Sequence, residues 1–284
     1  MGTSLRPLSA IAALALASCA STSGHPIEQQ REVVYRSAGD TELRLHVFSP
    51  PGHRSGDSRG AIVFFFGGGW RSGTPTQFFP HCEHLAERGM VAMSAEYRVE
   101  SRDGTTPVEC VQDGRAAVRW IREHARALGV DPARVAAGGG SAGGHVAAAT
   151  ATVVAFESEA ESPRTRCVPD ALVLFNPVFD NGPEGYGYDR VKDYWQDISP
   201  LHNLDAGTPP TIVFLGTQDR LIPVATAEAY RARMEALGGR CDLHLYEGKG
   251  HGFFNESSSP ESFVDTVAKM DAFLDSLGFL ELEP

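Results

Sequence analysis

The sequence predicts an α/β fold: a mostly parallel eight-stranded sheet flanked by helices, with a short cap-like insertion. Three observations carry that expectation. From about residue 31 onward, apolar runs of strand length alternate with stretches of helix length, the rhythm of strand–helix–strand units. The run Ala61–Phe66 (AIVFFF) is continuously apolar and ends in glycines, as expected of a strand buried on both faces. The chain has 284 residues, 42% hydrophobic and 21% charged. A chain of that size buries roughly three quarters of its unfolded surface, so its core needs neither metal nor disulfide.

The first segment is an address rather than part of the fold. Arg6 and the amino terminus are basic, and Leu8–Leu16 is apolar but too short to span a bilayer. The run ends in Leu16-Ala17-Ser18-Cys19. Such a segment reads as an export signal, and a cysteine after Leu-Ala-Ser resembles a bacterial lipobox. This predicts a lipoprotein signal peptide over 1–18, lipidation of Cys19, a tether over 19–30 and one domain over 31–284. A plain signal peptide is the alternative. The chain is expected to be exported, as an anchored lipoprotein of a bacterial cell envelope or otherwise as a periplasmic or secreted protein.

Glu32–Arg36 and Leu43–Phe48 flank a Gly39-Asp40 turn and predict an antiparallel hairpin. Ala61–Phe66, Met90–Ala95, Arg134–Ala137, Leu172–Phe175, Ile212–Leu215 and Leu243–Tyr246 supply six further strands. Helices are expected over Phe79–Arg88, Val108–Leu128, Ala142–Phe156, Val224–Leu237 and Ser262–Leu277. The second carries Val111, Ala117, Val118, Ile121 and Leu128 along one face. The stretch 180–210, the expected cap-like insertion, breaks the rhythm. It holds glycines, prolines and the aromatics Tyr186, Tyr188, Tyr194 and Trp195 without a clean period, and so long a loop in a compact domain is more often functional than idle.

A formal net charge of −11 disfavours nucleic acid and anionic membrane surfaces as partners. The membrane is then reached only through the anchor at Cys19. Beyond Cys19 the cysteines are Cys82, Cys110, Cys167 and Cys241. Export permits disulfides, with Cys82–Cys110 the first choice and buried free thiols the alternative. No C-x-x-C spacing suggests a zinc site.

Chemistry is concentrated in four places. Gly139-Gly140-Ser141-Ala142-Gly143-Gly144 follows a strand and opens an alanine-rich helix, the strand–turn–helix context of a G-x-S-x-G nucleophile elbow. The glycines let strand and helix backbones approach closely while Ser141 sits on a strained turn at the positive end of the helix. A serine hydroxyl needs a base. His251, in Gly248-Lys249-Gly250-His251-Gly252 after the last strand, fits that role. The acid belongs between them in chain order, and Asp219 follows the strand Ile212–Leu215. Asp205 and Asp265 compete by charge alone, since neither follows a strand. Finally, Phe66-Gly67-Gly68-Gly69-Trp70 follows a buried strand; the N–H groups of Gly68 and Gly69, with that of Ala142, can form an oxyanion hole.

With these motifs the chain resembles the α/β-hydrolases over Glu32–Leu277, and within them the hormone-sensitive-lipase-like branch and the small bacterial carbohydrate esterases close to it. The resemblance rests on Gly67-Gly68-Gly69-Trp70, Glu96-Tyr97-Arg98, Gly139-x-Ser141-Ala142-Gly143-Gly144-His145, Asp219 and His251. Phe66 stands where the family carries a histidine that braces the oxyanion loop, and Arg98 is expected to pair with a helix carboxylate such as Asp113. The resemblance implies serine esterase activity on short acyl, above all acetyl, esters, with no cofactor and no metal. It points to esters of plant or algal polysaccharides, as in acetyl xylan and feruloyl esterases. The substrate is then a small-molecule or oligosaccharide ester, for which Trp70, Tyr186, Tyr188, Tyr194 and Trp195 would be aromatic platforms. Prolyl-peptidase-like or lipase activity on the same fold, or a non-catalytic binding module, are the alternatives.

Overall fold

A computed structural model describes residues 1–2, 25, 27–157 and 165–280. Cys19 and the expected signal segment lie outside the described residues. Eight strands, β1 (Gln30–Ala38), β2 (Thr41–Phe48), β3 (Arg59–Phe65), β4 (Val91–Ala95), β5 (Val130–Gly140), β6 (Ala171–Phe175), β7 (Thr211–Gly216) and β8 (Cys241–Tyr246), form one sheet in the order β1-β2-β4-β3-β5-β6-β7-β8. The opening hairpin and the β2–β4 pair are antiparallel. All other neighbours are parallel. The helices are α1 (Phe79–Glu87), α2 (Glu100–Asp103), α3 (Pro107–Glu123), α4 (Ala125–Leu128), α5 (Ala142–Thr152), α6 (Tyr188–Val191), α7 (Trp195–Ile198), α8 (Val224–Ala236) and α9 (Pro260–Ser276).

Alternation along the strands divides the core in two. Val63, Phe65, Met93, Ala137, Leu174 and Val213 face α3, α5 and α8, meeting Val118, Val146 and Tyr230. Ile62, Phe64, Ala92, Ala136, Val173 and Phe214 face α1 and α9, meeting Leu85, Met270 and Leu274. The central strands are therefore apolar on both faces, which explains the unbroken run in β3. Burying each such large side chain contributes about 1.5–3 kcal/mol.

This layering corrects the expected disulfide. Cys82 lies on α1 in one core layer and Cys110 on α3 in the other, so the sheet stands between them. Cys82, Cys110, Cys167 and Cys241 are all buried free thiols. Burial pushes the Cys82 and Cys110 thiols well above their ordinary values.

Element ends shift for local reasons. The helix expected over Val108–Leu128 starts at Pro107 behind a Thr106–Glu109 capping box. It breaks at His124, and Gly129 at φ 68° closes the short α4. The helix after Ser141 ends at Thr152 because Val153 turns extended, its carbonyl taken by Arg115. Within 180–210, α6, α7 and a 3₁₀ turn over Pro200–Asn203 follow β6.

Candidate active site

The serine turn is built by crowding. Ser141 adopts φ 55° and ψ −120°, a region that costs about 1–3 kcal/mol outside glycine. A Cβ at Gly139 would collide with the carbonyls of Gly143 and Phe65, and one at Gly143 with those of Phe65 and Phe66. No side chain fits at either position. The strained residue is pinned by its neighbours: Ser141 N–H donates to the Phe175 carbonyl at 2.9 Å, and its own carbonyl accepts from His145 N–H at 3.0 Å and Val178 N–H at 3.2 Å.

Loops after β5, β7 and β8 bring Ser141, Asp219 and His251 together at one sheet edge. Ser141 Oγ lies 2.9 Å from His251 Nε2, and His251 Nδ1 lies 2.7 Å from Asp219 Oδ2. The carboxylate side chain is fully buried, whereas the imidazole is 25% exposed toward the cleft. Burial alone would raise the Asp219 carboxyl. Hydrogen bonds from His251 and from the Leu221 and Ile222 N–H groups more than offset it and hold the carboxyl below its ordinary range. An ionised Asp219 requires the proton on Nδ1, which leaves the Nε2 lone pair for the serine hydroxyl.

Beside the serine, Gly68 and Gly69 take φ values of 127° and 64°. Gly67 N–H is already engaged by Gln77 Oε1 at 2.7 Å. The N–H groups of Gly68, Gly69 and Ala142 have no acceptor among the described residues, so three donors remain free beside the nucleophile. Phe66, in place of the expected histidine, stacks on Tyr97 with centroids 4.2 Å apart, and Tyr97 Oη donates to the Phe66 carbonyl at 2.6 Å. The loop is thus braced by aromatic stacking plus one buried hydroxyl. Arg98 pairs bidentately with buried Asp113, Nη2 to Oδ1 at 2.8 Å and Nε to Oδ2 at 2.9 Å.

A cavity of about 510 Å³ opens over Ser141 and His251. Of the five aromatics expected to line it, only Tyr186 does so. Trp70 is buried, with its ring edge-on to His145 at 5.0 Å and covered by the Arg190 guanidinium at 5.3 Å. It holds the oxyanion loop against the cap. Tyr194 packs on Phe156 and Trp195 on His202, both against the small core of Val111, Val153, Val191 and Ile198. Tyr188 begins α6, outside the cavity lining. Crowding of aromatics in sequence did not say which way each would face. His145 donates to the Ile198 carbonyl at 3.0 Å and ties α5 to the cap; burial lowers it to about 4.

The cavity also gathers residues that motif reading missed, among them Thr74, Gln77, Asn176, Leu221, Phe254 and Asn255. Asn176 had one readable signal, its place immediately after β6; it adopts φ 34°. Asn255 had its position four residues after His251. Gln77 had none.

Residues 45–173 match the BD-FAE family model and residues 184–282 the dienelactone hydrolase family model. Among solved structures, esterase 2 of Thermogutta terrifontis is 42% identical, with a TM-score of 0.86 over 90% of this chain and 97% of that one. That esterase has been solved phosphoramylated by tabun, and with propionate or butyrate bound. Esterase LipC of Mycobacterium tuberculosis is 28% identical over 68% of this chain and 52% of its own length. The acetylxylan esterase of Xylanibacter ruminicola is 27% identical over 68% of this chain and 41% of its own. The chain spans about half the length of the curated relatives it matches.

Proposed function

The chain belongs to the α/β-hydrolase esterase family, and from that premise we propose that it is a serine carboxylic-ester hydrolase for short acyl esters, acetyl to butyryl. The observation that carries the reading is the unbroken relay, 2.9 Å from Ser141 Oγ to His251 Nε2 and 2.7 Å from Nδ1 to Asp219 Oδ2, beside three unengaged N–H donors. As Ser141 Oγ bonds to the ester carbonyl carbon, its proton passes to Nε2. The carbonyl electron pair moves onto oxygen, where the N–H groups of Gly68, Gly69 and Ala142 hold it; each such donor contributes about 10²–10³ in rate. Collapse breaks the bond to the alcohol, which leaves with the proton from Nε2. Water then gives a proton to Nε2 and attacks the acyl carbon, releasing the acid and restoring the serine hydroxyl. The Nδ1 proton stays on the histidine throughout.

The acyl range is supported by the cleft. Thr74, Thr76, Gln77, Asn176 and Asn255 line it beside Leu221, Phe254 and Tyr186, so Leu221 is the one aliphatic side chain in the lining against which a long acyl chain could lie. The propionate and butyrate complexes of the Thermogutta esterase agree with that size. An acetylated carbohydrate is the second reading, favoured by the acetylxylan esterase similarity and by the aromatic rings of Tyr186 and Phe254 in the cleft. Export and lipid attachment at Cys19 belong to the same proposal and rest on the Leu16-Ala17-Ser18-Cys19 run.

The test is a panel of nitrophenyl esters from acetyl to decanoyl, run beside acetylated xylan and methyl ferulate. Turnover is expected to peak between acetyl and butyryl and to vanish in Ser141→Ala. Equal or better turnover of the decanoyl ester would overturn the acyl range, and an active Ser141→Ala would overturn the nucleophile.

A further inference from the structure

The oxyanion loop and the histidine loop are joined across the cleft by side-chain amides that the relay itself does not use. Gly67 N–H donates to Gln77 Oε1 at 2.7 Å. Gln77 Nε2 donates to Asn255 Oδ1 at 2.9 Å, and Asn255 Nδ2 donates to the Gly252 carbonyl at 2.8 Å. On the other side, Gly252 N–H donates to Asn176 Oδ1 at 3.2 Å, which leaves Asn176 Nδ2 3.3 Å from His251 Nε2. Each amide orientation is forced. A backbone N–H can only donate, so Gly67 and Gly252 face amide oxygens, and the amide nitrogens are left for the next member.

We propose that Gln77 and Asn255 are positioning residues whose bridge sets the separation between the oxyanion donors and the catalytic histidine. This rests on the esterase reading of the cleft. The need for such a bridge follows from the loop that carries His251. Gly248 and Gly252 sit at φ 71° and 78°, with Gly250 between them, so the loop has little stiffness of its own. Asn255 closes its turn through N–H to the Gly252 carbonyl at 3.2 Å as well as through its side chain. Gln77, which precedes Asn255 by 178 residues in sequence, then fastens that turn to the strand exit at Gly67. The same bond turns Gly67 N–H away from the substrate and leaves Gly68 and Gly69 as the loop's oxyanion donors. The tetrahedral intermediate must meet those donors and Nε2 at once, and a displacement of about 1 Å in such an arrangement costs about 10²-fold in rate.

The experiment compares Gln77→Met, Asn255→Leu, their combination, and the isosteric Gln77→Glu, which keeps the acceptor for Gly67 but loses the donor to Asn255. The readouts are kcat and KM on nitrophenyl acetate, the rate of inactivation by a fluorophosphonate, and Tm. Each single variant should lose about 10- to 100-fold in kcat and in inactivation rate, with KM within about twofold and Tm close to wild type. The double variant should fall no lower than the worse single one, because either change cuts the same connection. Unchanged kcat, losses that multiply in the double variant, a loss confined to KM, or a loss that tracks Tm would each overturn the bridge. A wild-type protein that neither turns over esters nor reacts with the fluorophosphonate would overturn the esterase reading itself; active wild type with unaffected variants sinks the bridge alone.

Discussion

Lowering the pH from 7.5 to 5 should destabilise the fold by about 4 kcal/mol through two buried histidines, and His81→Leu should remove about half of that loss. His81 on α1 is fully buried among Phe64, Phe78, Phe175, Phe254 and Phe263, with centroids 4.9 to 6.1 Å away. Neither ring nitrogen has a hydrogen-bond partner among the described residues. Burial, with a smaller push from His84, lowers His81 from 6.5 to about 3, and burial lowers His145 from 6.5 to about 4. Both rings therefore stay neutral in the folded protein at pH 5, whereas in the unfolded chain each takes up a proton below about 6.5. The stability held by the neutral rings is complete above 6.5 and is lost as pH falls toward the folded values. At pH 5 each ring accounts for about 2 kcal/mol, and the figure barely depends on the folded value so long as that lies below 5. Against a total of about 5–15 kcal/mol this is a large fraction. Asp219, whose carboxyl is held below its ordinary range, adds its own loss only at lower pH. Urea unfolding followed by tryptophan fluorescence at pH 7.5, 6.5, 5.5 and 5 measures the slopes. At pH 7.5 the leucine variant should match or exceed wild type, since no hydrogen bond is lost. Parallel pH profiles for variant and wild type would refute the reasoning.

Three further outcomes are expected. Asp219→Asn keeps the shape of the relay but removes the charge that fixes the histidine tautomer, so kcat should drop about 10⁴-fold; a rate near wild type would move the acid elsewhere. Gly143→Ala puts a Cβ against the Phe65 and Phe66 carbonyls and should cost at least about 1–3 kcal/mol, read as a lower Tm together with lost turnover; a variant as stable as wild type would show that the elbow can open. Cys19→Ser should release the protein from the membrane fraction or block its processing, and mass spectrometry of the mature amino terminus finding an unmodified residue other than Cys19 would refute lipidation.

What the sequence disclosed depended on how local each constraint was. Ser141 was legible because the conditions on the elbow, a strand, two glycines and a small-residue helix, fall within a few positions. Asp219 and His251 were legible through chain order and their places just after strands. The proposed Cys82–Cys110 bridge failed for a non-local reason: α1 and α3 lie on opposite faces of the sheet, and nothing within either helix says which face it covers. Of the aromatics at 186–195, Tyr186 reaches the cleft while Tyr188, Tyr194 and Trp195 do not; α7 turns Trp195 toward His202. Gln77 and Asn255 carry no periodic signature, and their meeting depends on where two loops end in space.

Backbone strain gathers where the chemistry is. Among the described residues, the non-glycine positions with positive φ are Ser58, Trp70, Ser141, Phe156 and Asn176, and three of these five border the nucleophile or the loops that serve it. Each such residue costs about 1–3 kcal/mol, so each must be held by something stronger than itself. Trp70 is held by its carbonyl on Glu100 N–H at 3.0 Å, Ser141 by Phe175 and Val178, and Asn176 by its N–H on the Phe214 carbonyl at 2.7 Å. These three residues follow β3, β5 and β6, which are neighbours in the sheet. The spacing of a parallel ladder, about 4.8 Å per strand, therefore sets the separations among oxyanion loop, serine turn and the amide that faces His251. None of the three can relax its own turn without giving up a hydrogen bond, to Glu100 at the start of α2, to Phe175 at the end of β6 or to Phe214 within β7. The site owes its geometry to the sheet edge and its strain to the turns, and the buried layers of β3, β5 and β6 allow the two to coexist.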